Sequence, residues 1–151
     1  MMRQIAMLIV FFLVTAAAAV SGAQFLPGEW YAHLIKPAWT PPNWVFGPVW
    51  TVLYIMIAVS GWLAWRRLGF GRAVYVWVAA LVANGLWSWL FFGLHRVELA
   101  MADLALLVAL IVAFIASTWR TERTAAALFV PYLAWVAYAG TLNAAILVLN
   151  P

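Results

Sequence analysis

Trp50 and Tyr54 stand four residues apart, Asn84, Trp87 and Phe91 follow one another at spacings of three and four, and Pro131, Trp135, Tyr138 and Leu142 repeat that rhythm, with Asn143 next to it. In a helix such spacings place the members of each set on one face. Three segments therefore each present a stripe of large side chains, most of them rings tipped with an N–H or O–H. Indole and phenol rings hold flat apolar molecules by stacking, and their polar edges fix orientation through hydrogen bonds. The same stripes would also arise from three helices simply packing together, and spacing alone leaves both readings open. Two observations favour an inward-facing aromatic cavity. Eleven Trp exceed what contacts between membrane helices use, because small residues usually make those contacts. Ring N–H and O–H groups are also poorly placed against lipid tails at mid-depth.

Little else in the chain is equipped for chemistry. Cys is absent, which removes disulfides, thiolate ligands and Cys nucleophiles. There is no nucleophile elbow, no phosphate-cradling Gly loop, no carboxylate pair on one helix face and no His-rich signature. Hydrolytic and acid/base catalysis are accordingly not expected, nor is a metal site or a required cofactor. Asp103 lies about five residues into an apolar run, where an ionised carboxylate is costly unless paired or hydrated. That cost makes it a candidate functional residue; hydration near the interface, or a pair with Arg96, accounts for it equally well. Pro131 frees a backbone carbonyl inside another run and is expected to kink that helix.

The elements that must position these residues are legible from composition. Apolar residues make up 69% and charged residues 8% of the chain, and the mean hydropathy is +1.03, far from a soluble domain. A span needs about 20 mainly apolar residues. Five runs qualify, at roughly 4–23, 44–65, 73–94, 99–119 and 125–149. The expected fold is an all-α membrane protein, a five-transmembrane-helix bundle forming a single domain over residues 1–151. The first run competes with a signal peptide, since Arg3, an apolar stretch and Ser21-Gly22-Ala23 mimic a cleavage site. Three connections are tight polar breaks, so neighbouring helices run antiparallel. The connection at 24–43 is long and carries Trp30, Tyr31, His33, Lys36, Pro37, Trp39, Pro41 and Pro42. Prolines and rings in that density predict an ordered lid over one end of the bundle, with an interfacial aromatic belt as the alternative.

Charge sets orientation and partners. With five spans, Arg3, Arg66, Arg67, Arg72, Arg120 and Arg123 share one side and Lys36 and Arg96 the other. The positive-inside rule then puts the N-terminus in the cytoplasm and the first loop opposite. The net charge of +4 belongs to helix ends that meet lipid headgroups, so membrane lipid is expected as a partner and nucleic acid is not. Ala17 with Ser21, and Ala79 with Ala83, have the small-xxx-small form that suits a homodimer face. No inverted repeat of the secondary-transporter kind is visible.

Several segments together resemble the TspO/MBR family of tryptophan-rich sensory proteins and the mitochondrial translocator protein, or peripheral benzodiazepine receptor. They are Trp30-Tyr31, Lys36-Pro37-Ala38-Trp39-Thr40-Pro41-Pro42, the run from Trp44 to Tyr54, Asn84 with Trp87 and Phe91-Phe92-Gly93, and Pro131-Tyr132-Leu133-Ala134-Trp135 with Leu142-Asn143. The resemblance covers nearly the whole chain and implies that the first span is retained. It further implies a commonly dimeric bundle whose cavity, beneath the first loop, binds porphyrins and benzodiazepine-type ligands. Trp50 and Trp135 look like the family's paired cavity tryptophans, Tyr31, Tyr54, Asn84 and Ala139 like further pocket positions, and Asp103 like a recurrent acidic position. Trp39, Pro42, Trp87, Phe91, Tyr138 and Leu142 complete the expected ligand-binding set. Light-dependent porphyrin degradation, reported for some members, would involve Trp50 and Trp135; transport of tetrapyrroles or lipids is a further alternative. His33 and His95 both fall in loops, so no span offers an imidazole to haem iron, which favours metal-free porphyrin. Mitochondrial members carry a Tyr and then an Arg in a cholesterol-recognition segment after the fifth helix's Leu-Asn. Here Leu142-Asn143 runs into Ala144-Ala145-Ile146, so sterol binding there is not expected.

Overall fold

A computed structural model gives the fold and describes residues 2–25 and 27–151. The helices are α1 (Met2–Ala23), a short α2 (Glu29–His33), α3 (Phe46–Leu68), α4 (Arg72–Ser88), α5 (Val97–Thr118) and α6 (Arg123–Leu149). A 3-10 turn at Asn43–Val45 leads into α3, and α4 widens into a π-helical segment at Trp89–Gly93. Among the described residues five helical stretches are long and apolar enough to cross a membrane: Met2–Ala23, Asn43–Leu68, Arg72–Gly93, Val97–Thr118 and Arg123–Leu149. These match the five runs read from hydropathy. The second overshoots its expected end because a helix tolerates Arg66 and Arg67 in its last turn. It stops at Gly69, whose φ of 69° suits a glycine and whose N–H donates to Trp65 O at 2.7 Å.

The five long helices close into a ring in the order α1, α3, α6, α5, α4 and back to α1, with α3 and α4 also touching across it. Each exposes apolar side chains outward, as a lipid-facing bundle must. Its centre holds Ile57, Trp77, Leu107, Ile111, Phe114, Phe129, Tyr132 and Val136, all nearly inaccessible. The Phe114 and Phe129 rings, 4.1 Å apart, join α5 to α6.

Polar groups in this interior are spent on backbone carbonyls. Thr15 and Thr118 hydroxyls donate to the carbonyls of Phe11 and Phe114, four residues back, each at 2.8 Å. Ser60 Oγ ties α3 to Ala125 O of α6 at 2.7 Å. Trp77 Nε1 donates to Ile57 O at 2.9 Å, which draws the indole flat against α3. The approach depends on Gly61. A Cβ there would sit 2.5 Å from the Trp77 ring and 2.9 Å from the Phe11 ring. Where α1 meets α4, Ser21 Oγ lies 3.0 Å from the position a Cβ on Gly85 would take. The small residues of α1 are thus partly used within one chain. Pro131 lies inside an unbroken α6, and its exposed ring faces outward.

Because Gly61 admits the Trp77 ring, Gly61→Ala is expected to lower stability by about 1–3 kcal/mol through overpacking. Thermal unfolding of the detergent-solubilised protein measures it, with Gly140→Ala, where nothing lies within 4 Å of an added Cβ, as the unchanged control.

Candidate functional site

The lid is built from local turns and docked by rings. Gly28 precedes α2, whose Tyr31 is buried. Thr40 N–H and Oγ1 both donate to Pro37 O, at 3.0 and 2.8 Å, and Val45 N–H donates to Pro42 O at 3.0 Å. The prolines thus serve as acceptors and fix φ where no donor is needed. Trp30 stacks on His95 with centroids 4.1 Å apart, and Tyr31 meets Phe91 and Phe92 edge-on at 6.2 and 5.4 Å. Lys36 Nζ lies 4.7 Å over the Tyr31 ring and donates to the carbonyls of Ala32 and Leu34. Burial pushes the Tyr31 hydroxyl above the ordinary tyrosine range, so it remains a neutral donor.

Three long-range hydrogen bonds hold the lid down at its far side. Tyr138 Oη donates to Trp39 O at 2.6 Å. Asn150, just beyond α6, accepts from Ile35 N–H at 2.9 Å and returns a donation to Ile35 O at 3.0 Å. The segment between α1 and α3, with α2 inside it, is thus tied to α6 and to Asn150 just beyond it. It rests on the π-helical segment, where Leu94 N–H reaches back five residues to Trp89 O at 2.8 Å. The wider turn ends at Gly93, and a Cβ there would press to 2.9 Å on Phe25 at the lid's start. Such π segments are frequent at functional sites.

Beneath the lid the expected residues fall into three connected groups. Trp50 stacks on Tyr54 at 5.2 Å and meets Tyr132 edge-on at 6.2 Å; Tyr54 Oη donates to Asn84 Oδ1 at 2.9 Å, linking α3 to α4. Trp135 packs between Phe46 and Tyr138, each at 5.7 Å, and through Tyr138 reaches Trp39. Trp87 stacks on Phe91 at 5.1 Å and donates to Asn143 Oδ1 at 3.2 Å; Asn143 Nδ2 donates in turn to Val97 O at 3.0 Å. Asn84, Phe91 and Leu142 are buried, while Trp50, Tyr54, Trp87, Trp135, Tyr138 and Ala139 are half-buried. Trp39 and Pro42 are exposed on the lid. Trp50 and Trp135 belong to different groups.

Two expectations need correction. Of the stripe Pro131, Trp135, Tyr138 and Leu142 only Leu142 is buried, because the buried face of α6 is centred on Phe129, Tyr132, Val136, Asn143 and Ile146. The helix is rotated by about one residue, roughly 100° of arc, so Trp135 and Tyr138 lie on its flank, Pro131 on its outside and Leu142 at the edge of the buried face. Asp103 is buried at 6% exposure, and Arg96 pairs with Glu98 rather than with it. Asp103 Oδ2 and Tyr132 Oη are both buried without a hydrogen-bond partner. Tyr132, Phe46 and Asn150 are contributors the stripes did not single out, while Asn143 enters there only as a neighbour of the α6 stripe. A rotated α6 pattern of Phe129, Tyr132 and Val136 at spacings of three and four was the available signal for Tyr132. Among the described residues no cluster of His, Asp and Glu could hold a metal. His33 Nδ1 is occupied by Glu29 O at 2.7 Å.

Fold and site together define a multi-pass α-helical membrane protein with an aromatic, lidded end. The chain belongs to the TspO/MBR family, whose pattern it matches over residues 5–149. It is 38% identical over 146 residues to Protein CrtK of Rhodobacter capsulatus, covering 94% of this chain and 91% of that one. It is 36% identical over 138 residues to the Tryptophan-rich sensory protein of Cereibacter sphaeroides, at 91% and 87% coverage. With the human Translocator protein it shares 37% identity over 141 residues, at 88% and 83% coverage.

Asn150→Ala removes both bonds to Ile35 and is expected to speed amide exchange across residues 34–42 while leaving α3 to α6 protected. Hydrogen-exchange mass spectrometry in detergent reads this; unchanged exchange across the lid would show that ring contacts alone hold it.

Proposed function

We propose that the chain is a membrane receptor that binds porphyrins, and benzodiazepine-type molecules in their place, between the lid and the aromatic groups of α3, α4 and α6. The observation that carries this reading is the convergence of Trp50, Tyr54, Trp87, Phe91, Trp135 and Tyr138 beneath a loop held by three hydrogen bonds. Flat tetrapyrroles present large π faces, and stacking with offset or edge contacts is what such rings provide. Tyr54, Asn84 and the indole N–H groups supply polar edges for orientation. The rings now stack on one another, so a ligand must part them and lift the lid, breaking its bonds to Tyr138 and Asn150. With both histidines in connecting segments and His95 stacked on Trp30, recognition rests on the macrocycle rather than on iron. The relatives named sensory and translocator proteins support a regulatory membrane role. We place the N-terminus in the cytoplasm and the lid opposite, following the distribution of arginines, and take the assembly to be a homodimer.

Titration with protoporphyrin is expected to quench tryptophan fluorescence saturably in the wild type and about tenfold more weakly in Trp50→Phe/Trp135→Phe, the loss of about 1–1.5 kcal/mol that an aromatic pair contributes. Identical curves would remove these two residues from the site. In sealed vesicles, binding without net porphyrin flux separates a receptor from a transporter.

A further inference from the structure

The end of the bundle opposite the lid carries a feature that ligand binding beneath the lid does not use. Two adjoining clefts open there, of about 520 and 470 Å³. The first lies between the start of α1, the end of α3 and the α5–α6 connection, and is lined by Gln4, Arg66, Arg67, Thr121 and Glu122. The second is lined by Arg3, Gln4, Trp65, Arg66, Gly69 and Phe70. Gln4 and Arg66 are common to both, so they form one continuous depression. Volumes of this size hold small molecules.

Its electrostatics are unbalanced. Arg3, Arg66, Arg67, Arg72, Arg120 and Arg123 crowd this end against a single carboxylate, Glu122. The ion pair among the described residues, Arg96 with Glu98, lies at the other end, so among those residues none of these six guanidinium groups has a direct ion-pair partner. The starts of α1, α4 and α6 also meet here, and none has an acidic residue in its first turn. Glu122, the N-cap residue of α6, is the one carboxylate set against these positive dipole ends and arginines, so their mutual repulsion is only partly compensated. Two of the arginines are nevertheless held in place. Arg3 lies 5.7 Å over Trp65 and Arg66 lies 4.7 Å over Trp62, while Trp62 Nε1 donates to Gln4 O at 3.1 Å and fixes the start of α1 across α3. Cation–π seating leaves guanidinium N–H groups at the ring-distal edge free to donate.

We propose that these clefts form a binding site for an anionic glycerophospholipid, its phosphate held by Arg66 and Arg67 and its glycerol backbone beside Trp65 and Phe70. Forked guanidinium donors match phosphate oxygens. A lipid rather than a free phosphate ester is the occupant because the second cleft is aromatic. Phe70 is 65% exposed at its rim, and Ile5, Ile9, Phe12 and Leu13 continue down the uncovered face of α1 as a path for acyl chains. Glu122 opposes the anion and sets a ceiling on the affinity. The bound lipid adds negative charge where three helix starts and six arginines have only Glu122, and so contributes to stability at this end.

Native mass spectrometry of the full chain in neutral detergent, titrated with phosphatidylglycerol and separately with phosphatidylcholine, tests the site. Retention of phosphatidylglycerol over phosphatidylcholine is expected. Each arginine near a charged membrane surface accounts for about fivefold in affinity, so Arg66→Gln/Arg67→Gln should weaken phosphatidylglycerol roughly thirtyfold. Arg96→Gln at the far end should leave it unchanged. Glu122→Gln should strengthen retention, an effect of opposite sign that misfolding does not imitate. Equal retention of the two lipids, full retention by the double variant, or weakening by Glu122→Gln would overturn the proposal. Displacement by glycerol 3-phosphate at equal concentration would assign the site to a soluble phosphate ester and overturn the lipid.

Discussion

In the hydrocarbon core no water is present to satisfy a backbone or side-chain polar group, and most of this architecture follows from that constraint. Helices satisfy their own backbone, and the few polar side chains inside the bundle are each directed to a specific acceptor. Thr15 and Thr118 return to their own helices. Ser60, Trp77, Tyr54 and Trp87 instead cross between helices, and these crossings set the rotation of α3, α4 and α6 relative to one another. A buried hydrogen bond of this kind contributes about 1 kcal/mol, while an unmade one costs about 1–3 kcal/mol, so geometry more than net energy is what they supply. The two exceptions are Asp103 Oδ2 and Tyr132 Oη. Of these, Tyr132 meets the Trp50 ring edge-on.

The lid obeys the same constraint from outside. Its backbone is irregular, and irregular backbone must find partners in side chains or turns. Pro37 and Pro42 present carbonyls to nearby N–H groups without leaving a donor of their own unpaired. Asn150 then treats the Ile35 peptide as a strand would, accepting from its N–H and donating to its carbonyl. The C-terminal end of α6 therefore governs the loop between α1 and α3, although 115 residues separate the two partners.

How much of this was legible in the sequence depended on the range of the interaction. Span length and the helical spacing of Asn84, Trp87 and Phe91 are local properties, and all three residues lie on one side of α4 and its π segment as expected. On α6 the same reasoning chose a face about one residue away from the buried one. Trp135 and Tyr138 are the conspicuous rings there, but Tyr132 and Asn143 fill the interior because Phe129 must meet Phe114 on α5. The π turn at Trp89–Gly93 left no periodic trace, since one widened turn only shifts phase. The Asn150 clamp was beyond reach for a different reason, being a contact between chain ends that no window contains. The pairing of Arg96 with Glu98 instead of Asp103 shows the same limit at short range. Two residues of separation in a helix start outcompeted a partner buried a turn and more deeper.

The two ends of the bundle solve opposite problems. At the lidded end the charges nearly balance, with Lys36 seated on Tyr31 and Arg96 on Glu98, and aromatic contacts take over the work of closure. At the other end six arginines face one glutamate, and aromatic rings seat two of the guanidinium groups. A helix crossing the bilayer cannot move charge along its length at low cost, so this asymmetry is fixed once the chain inserts. Orientation and site therefore share one cause. The arginine-rich end is held at the membrane surface by charge, which leaves the nearly neutral aromatic end on the opposite side, where its closure depends on ring packing and three hydrogen bonds rather than on ions.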